Sequence, residues 1–204
     1  GNIPRHGNNK GEDSDGIVVR ENSRDSVSEA FRIIRTNMDF MRVKAANLQV
    51  VMFTSANPGA GKTFVSSNLA MSIAQTNKKV VLVDVDIRKG TLSGIFSNSS
   101  NRMGLTHYLS GSTYKLDDII GRSEEYEKLD VIFSGPVPPN PAELLLSERF
   151  DRLITELRKR YDYIIVDAPP LGMVIDAAII AKSCDGAVLV MESGAIKYRV
   201  AQNA

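Results

Sequence analysis

Apolar residues along this chain fall into two patterns. Val27, Ala30, Phe31, Ile34, Met38 and Met41 recur at the three-and-four spacing that lines one face of a helix. They predict a helix running to about Arg42, with Ser23 or Ser26 placed to cap it. Glu29, Arg32 and Arg35 lie off that stripe and are expected to face solvent or another chain. Beyond it the pattern changes to short, nearly unbroken apolar runs: LQVVMFTS (48–55), KVVLVDVD (79–86), LDVIFSG (129–135), YDYIIVDAPP (161–170) and GAVLVME (186–192). Runs without polar alternation are how strands read when both faces of their sheet are covered.

Helical segments separate these strands. One runs from Thr63 to about Thr76. Asn77 is suited to the left-handed conformation that ends it, and Lys78 and Lys79 suit its negative end. Asn140-Pro-Ala-Glu143 opens another, with Asn140 as cap, Pro141 in the first turn and Glu143 positioned for a capping box. A third ends in RKR at 158–160. Strands alternating with helices predict an α/β fold with a mostly parallel sheet and helices on both faces. No internal repeat is visible. Residues 1–16 are polar and aperiodic and read as an arm or linker before a single domain over 17–204. The chain ends a few residues into what reads as another helix, so a further helix and strand are expected beyond it.

Bulk properties narrow the picture only slightly. The 204 residues suffice for one substantial core, and 43% hydrophobic with 24% charged residues is ordinary for a globular domain. A net charge of +1 gives no reason to expect nucleic acid as a partner. One cysteine, Cys184, excludes an internal disulfide and fits a reducing compartment; its apolar neighbours predict a core role. No apolar run reaches the roughly 18–20 residues that cross a bilayer. His107 has no metal-ligand neighbour at suitable spacing.

Three constellations carry chemistry. Ala56-x4-Gly61-Lys62-Thr63 follows a strand and opens a helix, the context that validates a phosphate loop. Residues Asn57, Pro58, Gly59, Ala60, Gly61, Lys62, Thr63 and Phe64 are therefore candidates for nucleotide binding. Backbone N–H groups close around phosphate, Lys62 bridges its oxygens, and the Thr63 hydroxyl is placed to ligate Mg²⁺. Val81-Leu-Val-Asp84-Val-Asp86-Ile-Arg88 puts two carboxylates at the carboxyl end of a strand, where ligands bind in open α/β sheets. One can reach Mg²⁺ and the other can accept a nucleophile's proton. Ile164-Ile-Val-Asp167-Ala-Pro169 supplies a third strand-end carboxylate for the metal and its waters.

At these residues the chain resembles the bacterial tyrosine kinases (BY-kinases) of capsule and exopolysaccharide export. It has a Walker A loop at 56–63, a D-x-D-x-R Walker A′ at 81–88 and a D-x-P Walker B at 164–169. Glu29-x-x-Arg32-x-x-Arg35 and SGPVPPNPAELL (134–145) resemble further hallmarks of that family. The resemblance implies the deviant-Walker P-loop fold, ATP and Mg²⁺ as cofactors, and transfer of phosphate to tyrosine. Lys62, Asp84 and Asp86 would be catalytic, and Thr63, Asp84 and Asp167 would serve the metal. Which of Asp84 and Asp86 is the base stays open, with a preference for Asp84. It further implies a ring-like homo-oligomer held through Glu29, Arg32 and Arg35. Other implied partners are a transmembrane polysaccharide chain-length regulator, fused or separate, and a cognate tyrosine phosphatase. The implied place is the cytoplasmic face of the inner membrane. GNIPRH at the N-terminus resembles the juncture after a membrane helix in fused members.

The family's C-terminal tyrosine cluster is missing from this sequence. Tyr108, Tyr114, Tyr126, Tyr161, Tyr163 and Tyr198 are scattered, and Tyr161 and Tyr163 flank a strand where packing is expected. The acceptor tyrosine is accordingly expected outside this chain. Two other readings share the loop: a switch ATPase of the chromosome-partitioning or division-site type, and a nucleotide-sensing assembly module without kinase activity. The first would carry a signature lysine five positions before Lys62, where this chain has Asn57.

Overall fold

A computed structural model describes residues 1–4, 16–44, 48–96, 103–122 and 129–193. Helix α1 spans Ser26–Lys44, β1 Val50–Ser55, α2 Lys62–Ala74 and β2 Val80–Asp84. Then come α3 (Leu105–Leu109), β3 (Gly121–Arg122), β4 (Leu129–Ile132), α4 (Pro141–Leu145) and α5 (Glu148–Arg160). The described chain closes with β5 (Tyr163–Asp167), α6 (Val174–Ala181) and β6 (Gly186–Val190).

The strands form one six-stranded sheet in the order β3-β4-β2-β5-β1-β6. Every pairing is parallel except that of β3 with β4. The five expected strands are all present; the two-residue β3 was not foreseen, being too short to leave a pattern. The unbroken apolar runs divide cleanly by parity. Val51, Phe53, Val80, Leu82, Tyr163 and Ile165 pack on one side with α1 and α2. Val50, Met52, Val81, Val83, Ile164 and Val166 pack on the other with α3, α5 and α6. A strand with two buried faces has no polar position to spend, which is why the runs are continuous.

Local details depart from expectation in instructive ways. Neither Ser23 nor Ser26 caps α1. Asp25 does, its Oδ1 accepting from the Val27 and Ser28 amides at 3.0 and 2.8 Å. Hydrogen bonds from Ser23, Ser28 and those amides hold its carboxyl well below the usual range. Asn140 does precede α4, but its amide donates to the Glu143 carboxylate (2.8 Å), so no capping box forms. The helical stretch is split, α4 stopping at Leu145 before α5 restarts at Glu148. Asn77 has φ 62, as its place after α2 required. Met41, assigned to the buried stripe of α1, is 56% exposed. Tyr161 and Tyr163 are packed: their hydroxyls donate to Asp130 and Asp39, each at 2.7 Å. Burial, then those carboxylates, push both phenols up, that of Tyr163 to about 12 and that of Tyr161 well above the usual tyrosine range. Cys184 is mostly buried and its thiol is pushed up to about 12 by that burial.

A strap ahead of α1 is bound to α2 chiefly through one side chain, with Gln75 at the end of the helix adding a bond to the Val19 carbonyl (3.4 Å). Asn68 is fully buried. Its Oδ1 accepts from the Val18 and Val19 amides (2.8 and 3.1 Å), and its Nδ2 donates to the Gly16 and Phe64 carbonyls (3.3 and 2.9 Å). A burial that removes an amide from water is tolerable only when its bonds are replaced, and here four are.

Candidate active site

The site lies at the carboxyl ends of β1, β2 and β5, where three strand ends and one helix start converge. β1 runs into the loop 56–61, which is braced at its entry by the Ser55 hydroxyl donating to the Asn57 carbonyl (2.9 Å). Gly59 and Gly61 have φ of 82° and 79°, a region side chains rarely adopt. A β-carbon at either would meet nothing within 4 Å. Glycine is thus needed for the turn and not to relieve crowding, and the space above the loop stays open to a ligand. Asn57, Pro58 and Gly59 are exposed, with Ala60 and Thr63 half-buried. Phe64 points away from the loop, its ring packing edge-on against Phe31 with centroids 6.1 Å apart.

Lys62 and Thr63, the first residues of α2, turn toward β5. Lys62 Nζ lies 2.7 Å from Asp167 Oδ1, and both residues are buried. Thr63 Oγ1 donates to Asp167 Oδ2 (2.8 Å) and Ser66 Oγ to Asp167 Oδ1 (2.9 Å). Asp167 is therefore paired with a lysine and hydrogen-bonded at both oxygens. Its neighbours are not. Asp84 stands beside Asp167 in the β2–β5 register, and adjacent strands are only about 4.8 Å apart. Asp84 Oδ2 accepts one amide hydrogen bond, from Leu92 at 3.2 Å. Asp84 Oδ1 and Asp86 Oδ1 are buried and have no partner among the described residues.

Burial first, and then the Asp167 charge, raise the Asp84 carboxyl to about 7. Asp86 is raised too, again mainly by burial, with Lys62 opposing. Three carboxylates against one lysine leave buried negative charge that asks for a cation. Asp84 Oδ1, Asp86 Oδ1 and the Thr63 hydroxyl are the groups that fit a Mg²⁺ ion, which prefers one or two carboxylates, water and phosphate oxygens to a full protein cage. Among the described residues no group of three His, Cys, Asp or Glu forms such a cage.

Lys62, Thr63, Asp84, Asp86 and Asp167 thus come together beside the loop, while the Phe64 ring packs on Phe31. Sequence reasoning missed three participants. Ser66, one helical turn from Lys62 and Thr63, completes the hold on Asp167, and its spacing was the available signal. Thr91 meets Thr63 Oγ1 at 3.0 Å. Asp176 on α6 takes the Arg88 guanidinium in two hydrogen bonds of 2.6 and 3.2 Å, tying the segment after β2 to α6; only the fold brings these together.

The α1 trio divides. Glu29 is exposed and pairs with Arg32 at 2.8 Å. Arg32 also donates to the Ser23 carbonyl. Arg35 does not face outward as expected. Its guanidinium reaches across to α2 and donates to the Ser72 carbonyl at 2.7 Å. A half-buried arginine whose nearest acceptor is a carbonyl of its own chain becomes a clasp between helices.

Comparison with known proteins agrees with this geometry. The model of an AAA domain family matches residues 48–196. The tyrosine-protein kinase CpsD of Streptococcus agalactiae is 43% identical over 176 residues, 86% of this chain and 75% of that protein. The chain belongs to the bacterial tyrosine-protein kinases. The tyrosine-protein kinase etk of Escherichia coli is 41% identical over 180 residues, covering 87% of this chain and 24% of that much longer protein. The solved kinase domain of Escherichia coli ETK superposes with a TM-score of 0.82 at 38% identity, over 90% of this chain and 70% of that one. A septum site-determining protein MinD from Pyrococcus horikoshii, solved with Mg-ADP, gives 0.60 at 26% identity over 70% of this chain and 57% of that one. The P-loop architecture is common to both groups. The kinases match it far more fully.

Proposed function

We propose that this chain transfers the γ-phosphoryl group of ATP to protein tyrosine, as the kinase core of a system controlling capsular or exopolysaccharide polymerisation and export. The observation that carries this is the buried trio Asp84, Asp86 and Asp167 set against Lys62 at the mouth of an open glycine loop. Its relatives' names support the reading, including that of a Klebsiella pneumoniae tyrosine-protein kinase in the cps region, 45% identical over 174 residues.

Phosphoryl transfer asks little covalent chemistry of the protein; positioning and charge neutralisation supply most of the rate. The loop amides and Lys62 would hold the triphosphate, Lys62 leaving Asp167 for phosphate oxygens. Thr63, Asp84 and Asp86 would hold Mg²⁺, with Asp167 serving it through water, and the bound ion would offset charge on the transferring group. Of Asp84 and Asp86, Asp84 is the preferred group to take the phenolic proton. Burial of all three carboxylates excludes bulk water from competing as acceptor.

The regulatory setting follows from the same reading. The chain works as a ring-like homo-oligomer at the inner face of the bacterial membrane, with a chain-length-regulator membrane domain fused or separate, and is reset by a tyrosine phosphatase. Residues 1–16 serve as its arm; most of them lie outside the described residues. Glu29, exposed, and Arg32, half-buried and paired with it, carry the contact between copies, while Arg35 supports it from behind. No helix among the described residues is long and apolar enough to cross a membrane.

The test is phosphotyrosine formation on a glutamate-tyrosine copolymer with ATP and Mg²⁺. Lys62→Met should lower the signal roughly a hundredfold or more. Equal signals from variant and wild type would falsify the kinase reading and favour the switch ATPase or the assembly module. Light scattering of Glu29→Ala/Arg32→Ala tests the ring; an unchanged oligomer excludes that contact.

A further inference from the structure

The described tyrosines are not equivalent, and one of them is presented in a way the catalytic site does not explain. Tyr163 is fully buried, Tyr108 is 4% exposed, and Tyr161 gives its hydroxyl to Asp130. Tyr114 is 74% exposed. It sits in the turn between α3 and β3, just after Gly111, whose φ of 84° bends the chain there. Its ring lies under the Arg149 guanidinium, with 4.3 Å from the guanidinium carbon to the ring centroid.

Arg149 is itself held in place. Its Nε donates to the Tyr108 carbonyl (2.7 Å) and its Nη2 to the Thr113 carbonyl (2.8 Å), and Tyr108 stacks on it from another side at 5.1 Å. Those two bonds use two of five donors. Among the described residues Nη1 has no acceptor. The Tyr114 hydroxyl and Arg149 Nη1 both border the empty side of Gly111, 3.6 and 3.9 Å from where its β-carbon would stand. A cation–π contact holds the ring without occupying the hydroxyl. A phosphate on that hydroxyl would meet a preset guanidinium with unused N–H groups, the arrangement that stabilises phosphotyrosine.

Resting on the kinase reading above, we propose that Tyr114 is an acceptor tyrosine of this kinase, phosphorylated by a second copy of the chain and retained by Arg149. In the step, Tyr114 Oη bonds to the γ-phosphorus of ATP while the bond from that phosphorus to the β–γ bridging oxygen breaks. ADP leaves, and the phenolic proton passes to the carboxylate base of the catalysing copy. Arg149 then offsets the charge added at pH 7. This revises the expectation that every acceptor lies outside the chain.

The experiment separates donor from acceptor. Tyr114→Phe keeps the ring on Arg149 and removes only the hydroxyl, so it serves as an active donor. Lys62→Met keeps Tyr114 and serves as the acceptor. The two are mixed with ATP, Mg²⁺ and the glutamate-tyrosine copolymer. Phosphate is located by fragmentation spectra of the tryptic peptide 103–115, because that peptide also contains Tyr108. The expected result is phosphate on Tyr114 of Lys62→Met only when the donor is present, and at least tenfold above Tyr108. Copolymer labelled with Tyr114 bare overturns this proposal and leaves the kinase reading standing. Neither substrate labelled overturns both. Tyr114 labelled in Lys62→Met without donor overturns the step through a second copy.

Discussion

Helix α2 carries two buried polar clusters, and they are built on opposite terms. At its start Lys62, Thr63 and Ser66 face Asp84, Asp86 and Asp167, and two carboxylate oxygens there have no partner among the described residues. Two turns later Asn68 and Ser72 meet the strap and Arg35, and every polar atom of the Asn68 amide is bonded. Unmet acceptors in a protein interior are costly and persist where a ligand is meant to complete them. Satisfied ones are joints. The same helix therefore holds an incomplete site and a finished clasp, and the clasp fixes the helix from which the site is hung.

The largest effect is expected at the clasp. Asn68→Leu strands the Val18 and Val19 amides and the Gly16 carbonyl, and should cost about 2–4 kcal/mol in urea unfolding. Amide exchange at Val18 and Val19 should accelerate with it. An unchanged unfolding midpoint would mean the strap contributes nothing to stability.

The incomplete site should answer in the other sense. The Asp84 carboxyl is raised from 3.8 to about 7 in the folded chain. The folded state then binds the proton more tightly than the unfolded one. Its contribution to stability is full below about pH 4 and is lost as pH rises through about 7. Metal-free protein should thus lose stability across that window, by roughly 2–4 kcal/mol from this group. Asp84→Asn should flatten the profile and be the more stable protein at pH 8 without Mg²⁺, while phosphotransfer collapses. A variant with an undiminished pH slope would show that Asp84 is not the strained group.

The smallest contrast lies within the α1 trio. Arg35→Ala removes a charged donor from the Ser72 carbonyl and should cost about 1–2 kcal/mol. Glu29→Ala breaks an exposed pair with Arg32 and should stay within about 0.5 kcal/mol. Equal thermal shifts for the two would erase the distinction between clasp and exposed contact.

Much of this protein was legible along its chain because its signals are local. The strand runs, the glycine loop, the strand-end aspartates and Asn77 all declare themselves within a few neighbours. Where capping depended on fine geometry, reading failed: Asp25 took the place of Ser23 or Ser26, and Asn140 bonded Glu143 and not the backbone. Two serines and an aspartate within four residues are equivalent in sequence, and only the entry angle of the chain selects among them. Met41 erred for a related reason: helical spacing says which residues share a face, not how far along that face the cover extends.

By itself the sequence determined the α/β class, the phosphate loop and the aspartates at or just past the strand ends, since period, glycine placement and strand termini are properties of neighbouring residues. The tertiary structure alone decided that Asp84 abuts Asp167 through the β2–β5 register, and that Lys62 spends its charge on Asp167. It also decided that Arg35 turns inward to Ser72, that Arg88 is tied to Asp176, and that Tyr114 lies open beneath Arg149. Each of these joins residues far apart in the chain, and their energies depend on burial and shared register, which exist only after the sheet has closed around them.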